Sequence, residues 1–168
     1  LAEEVEPGTD EIDEQMREAL EQNNGAQIAG LLEGLTSSDG LREVLGLKAM
    51  QRDTLMALLP AGAAAELLEE ATPEVAVDLV ERLDPAQAAL IIDELDTDIQ
   101  ADVIGEMDDE EAEAILAAMD VEDAADVRRL SEYDPDTAGG LMTSEAFPFT
   151  EDPTVGPVLR RLPSADAD

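Results

Sequence analysis

Residues 59–130 divide into six lines of twelve: LPAGAAAELLEE (59–70), ATPEVAVDLVER (71–82), LDPAQAALIIDE (83–94), LDTDIQADVIGE (95–106), MDDEEAEAILAA (107–118) and MDVEDAADVRRL (119–130). The second residue of each line sets the register: Pro60, Thr72, Asp84, Asp96, Asp108 and Asp120. Counting from it, position four is Ala64, Ala76, Ala88, Gln100, Ala112 and Ala124, and position seven is Leu67, Leu79, Ile91, Val103, Ile115 and Val127. Position eight is Leu68, Val80, Ile92, Ile104 and Leu116, until Arg128 breaks the column. The residue before each register position is Leu59, Ala71, Leu83, Leu95, Met107 or Met119. Apolar spacings of 4, 7, 8 and 11 trace one stripe of an α-helix. A period this strict predicts an all-α array, and arrays present surfaces more often than catalytic clefts.

The helix starts have a mechanism. Thr72-Pro73 and Asp84-Pro85 place a capping oxygen before a proline at the first helical position, where the missing N–H costs nothing. Asp96, Asp108 and Asp120 repeat the cap, with further carboxylates behind them that suit the positive end of the helix dipole. Each cap is worth ~1 kcal/mol. About nine or ten helical residues per repeat make rods of ~15 Å, which are marginal alone. They are expected to stack as short antiparallel helices, winding into a right- or left-handed superhelix.

Composition adds a second message. The chain has 168 residues, 44% of them hydrophobic, enough for the core of one domain. With two Phe, one Tyr and no Trp, that core is aliphatic. The absence of Cys excludes disulfides and thiolate metal sites, and the absence of His removes the imidazole base and the usual zinc ligand. No stretch approaches the ~20 apolar residues that span a bilayer, and no signal-peptide pattern is present. Acidic residues number 43 against 9 basic ones, for a net charge of −34, with Lys48 the single lysine. Such a field repels nucleic acid and anionic lipid and attracts cations. A halophilic source would also favour dense carboxylates and scarce lysine. A specific cation site would use only a few of these groups, so the two explanations do not compete.

Outside the six lines the pattern loosens. Residues 1–10 (LAEEVEPGTD) read as a disordered acidic lead-in, and the start at Leu1 suggests an excised piece. Ile12, Met16, Ala19 and Leu20 mark a first helix, closed by the turn Asn23-Asn24-Gly25. Ile28, Leu31, Leu32 and Leu35 mark a second, ending at Thr36-Ser37-Ser38-Asp39-Gly40. A third is expected from Leu41 to Leu59 with a break near Gly46. Met50, Met56, Met107 and Met119 sit at helical spacing and are expected in the core. The array thus covers residues 11–133. Asp134 to Thr143 is a turn-rich linker, and 134–168 reads as that linker plus a short, incomplete α/β tail, the opening of a second domain.

Short helical repeats containing LLPAGAAAELL, DPAQAALIIDEL and DTDIQADVIGEM, followed by YDPDTAGGLMT and FPFTEDPTVGPVLRRL, resemble the cytoplasmic region of MgtE-type magnesium transporters. The likeness covers residues 11–162, and Ala138-Gly139-Gly140-Leu141-Met142-Thr143 is its most specific string. Aspartate-capped repeats alone are shared with other helical arrays, such as flagellar rotor proteins.

The resemblance implies a superhelical N domain, a pair of CBS domains (the tail being the start of the first) and a transmembrane channel, with this part on the cytoplasmic side of the membrane. It implies a feedback valve in which Mg²⁺ holds the N domain against the CBS domains and keeps the pore closed. It carries acidic ligand positions over to Glu66, Asp98 and Asp102, all of which keep a carboxylate here. The family dimerises chiefly through other segments, so the full-length protein is expected to be a homodimer and this fragment a monomer.

The residues themselves are compatible with that chemistry. Asp98 and Asp102 are i and i+4 on one helix, with Cβ atoms ~6 Å apart. Mg²⁺ takes oxygen ligands, keeps several waters and is often held by one or two carboxylates. The plainer alternative is that Asp98 complements the helix dipole and that Asp102 and Glu66 are solvated surface. If successive repeats alternate direction, position six stacks Asp78, Asp102 and Asp126 in one column and Glu66, Leu90 and Ala114 in the other. The first column is then an acidic edge expected to face the CBS domains. The competing function is a helical interaction module whose acidity is halophilic. An enzyme is not indicated: Ser37, Ser38 and Thr143 lack a His or Lys partner, and Gly139-Gly140 follows no strand and reads as a hinge or turn.

Overall fold

The computed structural model describes residues 9–133, 137–139 and 142, the side chains of 9–11 and 13 excepted. Within them lie ten α-helices and no strand: α1 (Thr9–Glu21), α2 (Gly25–Glu33), α3 (Ser37–Gly46), α4 (Ala49–Leu58), α5 (Ala61–Glu69), α6 (Pro73–Val80), α7 (Pro85–Ile92), α8 (Thr97–Glu106), α9 (Asp109–Leu116) and α10 (Val121–Ser131). The all-α array expected from the repeat is the observed fold. The lead-in, most of the linker and the α/β tail fall outside the described residues, although α1 already includes Thr9 and Asp10.

The repeat runs further than the six lines suggested. N-caps fall at Asn24, Thr36 and Lys48, then Pro60, Thr72, Asp84, Asp96, Asp108 and Asp120, a strict twelve-residue step from α2 to α10. Thr36 therefore opens α3 rather than closing α2: its hydroxyl accepts from Asp39 N. The expected break near Gly46 is real, and Leu47-Lys48 separates α3 from α4. Asn23-Asn24-Gly25 divides its labour differently from the expectation. Asn23 holds the left-handed position (φ 50°) that ends α1, and Asn24 N–H reaches Ala19 O at 2.9 Å in a six-residue closure. The Asn24 side chain then caps α2, accepting from Gln27 N at 3.2 Å. Gly25 is there for space, since a Cβ on it would run into the carbonyl of Leu58 at the end of α4.

Packing connects helices two apart. α4, α6, α8 and α10 form one stack, joined at its near end by α1 and α2; α3, α5, α7 and α9 form the other. Residues 24 apart consequently recur along one stack. Positions four and seven of the six lines are buried throughout, and position eight is buried from Leu68 to Leu116. One continuous aliphatic core results, each buried Leu or Ile contributing about 1.5–3 kcal/mol. The two exceptions explain themselves. Gln100, at an alanine position, is 4% exposed; its Nε2 donates to Leu95 O at 2.6 Å, while its Oε1 has no partner. Arg128 is exposed and bonds Glu113 through two nitrogens (3.2 and 3.0 Å), tying α10 to α9 where the array's apolar column stops. Met56 and Met107 are in the core and Met119 packs against it. Met50, expected there, is 81% exposed, because it lies in the first turn of α4 off the buried stripe.

The caps act unequally. Asp84 accepts from Ala86 N and Asp120 from Glu122 N, both at 3.0 Å, whereas Thr72, Asp96 and Asp108 make no side-chain cap bond. Their extended backbone, with φ between −60° and −73°, still places the turn. Asp84→Ala should therefore cost about 1 kcal/mol and Asp96→Ala distinctly less, by urea unfolding. Gly25→Ala should cost at least about 1–3 kcal/mol by overpacking. Gly62→Ala, in helix α5 with nothing within 4 Å of a new Cβ, should instead add about 0.4–1 kcal/mol.

Candidate metal half-site

Helix α8 begins at Thr97 after Asp96, whose backbone is extended (φ −60°, ψ 145°). Asp98 lies in that turn and Asp102 one turn on, both half-buried. Burial of Asp102 and, second, the charge of Asp98 hold its carboxyl above the usual range. The Asp98 charge reaches Asp102, in keeping with their i, i+4 spacing.

Asp102 also lines a groove of about 230 Å³ between α6, α8 and the end of α10. Glu74, Glu106, Ser131 and Tyr133 share that groove. Glu74 is held by its own N–H and by the Thr72 hydroxyl, which lower its pKa. Sequence reasoning missed Glu74 and Glu106 as neighbours of Asp102. The 24-residue recurrence places α6 beside α8 and could have found Glu74, and Glu106 stands i+4 from Asp102 on α8 itself.

Glu66 is elsewhere. It is exposed on α5, in the other stack, and borders a separate groove of about 270 Å³ with Glu33, Ser37 and Leu67. The three expected ligands are thus split into a pair and a single. Among the described residues, no group of three acidic side chains is arranged to hold a metal ion.

The two columns fall on the two stacks as expected. Asp78, Asp102 and Asp126 lie on α6, α8 and α10; Glu66, Leu90 and Ala114 lie on α5, α7 and α9 and are all exposed. The acidic column is not uniformly charged. Asp126 pairs with Arg129 at 2.8 Å, and the carboxylate acting on Asp102 is Asp98 of its own helix. A further carboxylate group gathers near the start of α10, where burial and then Asp93, Asp120 and Asp126 raise the pKa of Asp123.

The fold has relatives. Residues 26–136 match the family described as the MgtE intracellular N domain. A crystal structure of the cytosolic domain of the Mg²⁺ channel MgtE in complex with ATP aligns with a TM-score of 0.74 at 31% identity, over 88% of this chain and 61% of that one. A crystal structure of the soluble part of a magnesium transporter aligns with a TM-score of 0.70 at 21% identity, over 82% of this chain and 55% of that one, and shares the fold. The chain thus spans somewhat more than half the length of these structures. No curated protein sequence matches it significantly. Among the described residues, no helix is long and apolar enough to cross a membrane.

The raised pKa of Asp102 fixes the sign of a pH effect. A carboxyl whose folded pKa lies above its unfolded value weakens the fold once ionised; the penalty is absent below the unfolded value and complete above the folded one. Asp102→Asn should therefore raise Tm at pH 7, by about 1–3 °C. That advantage over wild type should disappear near pH 3.5, below the ordinary carboxylate range of about 4; thermal scans at both pH values check it.

Proposed function

Since the chain belongs to the family of MgtE intracellular N domains, we propose that it is a non-catalytic regulatory domain of a magnesium transporter or channel, sensing Mg²⁺ through acidic half-sites. The supporting observation is the Asp98–Asp102 pair, half-buried and electrostatically coupled on one face of α8. Two carboxylates supply part of an octahedral shell and leave the remaining positions to water and to a second surface. Such a pair binds weakly alone and more tightly when another domain completes it, because cation and interface then form together. Glu66, on the opposite stack, serves as a separate half-site of the same kind.

On this reading the completing surface belongs to the CBS domains of the same full-length protein, and the transmembrane channel is the element they control. Bound Mg²⁺ holds the domains together and the pore shut. As Mg²⁺ falls, the carboxylates repel, the domains part and the pore opens. The fragment acts on the cytoplasmic side of the membrane and is itself monomeric, within a homodimeric whole. The acidic α6–α8–α10 edge is the surface turned toward the CBS domains.

Thermal unfolding in MgCl₂ against NaCl at matched ionic strength tests the sensor. Wild type should gain about 3–5 °C from Mg²⁺ beyond the monovalent response. The triple variant Glu66→Gln, Asp98→Asn, Asp102→Asn should start from a higher Tm yet lose that specific gain. Equal responses to the two salts would mean diffuse screening of a −34 surface, and the chain would then be an acidic interaction module without a cation site.

A further inference from the structure

Asn23 and Asn24 are the chain's two asparagines, and both fall in the turn that joins α1 to α2. The fold fixes what surrounds Asn24. Position 25 has to be glycine, since a Cβ there would run into the Leu58 carbonyl at the end of α4. Position 24 has to carry a short capping side chain: Asn24 Oδ1 accepts from Gln27 N, and Nδ2 donates to Gln27 Oε1, both at 3.2 Å. Asn24 is exposed to solvent. Helices α7 to α10 start behind an aspartate, whereas α2 starts behind an amide followed by glycine. That pair is chemically labile, because glycine puts no Cβ in the way of its own nitrogen reaching the preceding side chain.

We propose that Asn24 is a site of spontaneous deamidation whose two products act oppositely on the α1–α2 end of the array. Gly25 is the first residue of α2, so its N–H is among those that no turn of the helix uses. With its proton taken by hydroxide, Gly25 N bonds Asn24 Cγ; the Cγ–Nδ2 bond breaks and, with protons from water, ammonia leaves. Water then opens the five-membered imide at either carbonyl. Opening at Cγ leaves aspartate, which still offers an oxygen to Gln27 N and adds a negative charge at the helix N-terminus, the cap that Asp84 provides for α7. Opening at the main-chain carbonyl leaves isoaspartate, whose backbone runs through Cγ and is one methylene longer. That insertion falls where Gly25 is seated against Leu58, and α2 packs on both α1 and α4, so it loosens this end of the stack. The two bonds to Gln27 hold the amide away from attack, and the rate follows how often the cap opens.

Wild type, Asn24→Ser and Gln27→Ala are incubated in mildly alkaline buffer; acid forms are separated by anion exchange, located by peptide mapping and melted. Wild type should accumulate acid at position 24 well before Asn23 reacts. Asn24→Ser, whose hydroxyl keeps a cap, should accumulate none there. Gln27→Ala, which frees Nδ2, should speed the conversion about two- to fivefold. The aspartate form should melt within about 1–2 °C of the starting protein, and the isoaspartate form at least about 3 °C lower. An amide that survives at position 24 under conditions that convert a guanidinium-unfolded sample, or conversion centred on Asn23, would overturn the site. An unchanged rate in Gln27→Ala would overturn the gating by the cap. Isoaspartate that melts with the starting protein would overturn the role given to the Gly25–Leu58 contact.

Discussion

Helices of eight to eleven residues cannot hold their own shape in water, and everything else in this protein depends on how that deficit is met. Each repeat exposes an aliphatic stripe at positions four, seven and eight, and stacking on the helix two steps away buries it. The solution propagates, because every newly packed helix offers the next one the same surface. In α10, Arg128 replaces the apolar residue of position eight and bonds Glu113. Close approach also sets local residue choice: alanine fills position four in five of the six lines, and Gly25 clears the carbonyl of Leu58.

Stacking by two also sorts the surface. Side chains 24 apart share an edge, so one edge collects Asp78, Asp102 and Asp126 while the other carries Glu66, Leu90 and Ala114. Acids number 43 and bases 9, and two of the arginines bridge helices: Arg82, just after α6, reaches Asp53 of α4 at 3.3 Å, and Arg128 ties α9 to α10. Acidic side chains outnumber basic ones by 34. A domain built this way responds to the cations around it, and on the proposed reading Asp98 and Asp102 turn that general response into a specific one. Asp102 is raised first by burial and second by the Asp98 charge, and removing water strengthens both that repulsion and the attraction of a divalent ion.

Local signals in the chain were enough to determine the helices from Pro60 onward, where they start, their buried stripe and the two-column arrangement, because period twelve and the 4-7-8-11 spacing are properties of one helix and its nearest copies. The Thr36 and Lys48 repeats were hidden because their composition departs from the pattern: Gly40 and Arg52 stand at position four and Glu43 at position seven. Only the tertiary structure decided that Asn24, Thr36 and Lys48 continue the same register, that Gly25 and Gly139 serve close contacts, and that Met50 faces solvent. It also decided that Tyr133, beyond the last repeat helix, borders the groove of Asp102. The reason is physical: a repeat specifies how a helix meets its neighbour, whereas which side chains converge on a groove depends on three helices meeting at once.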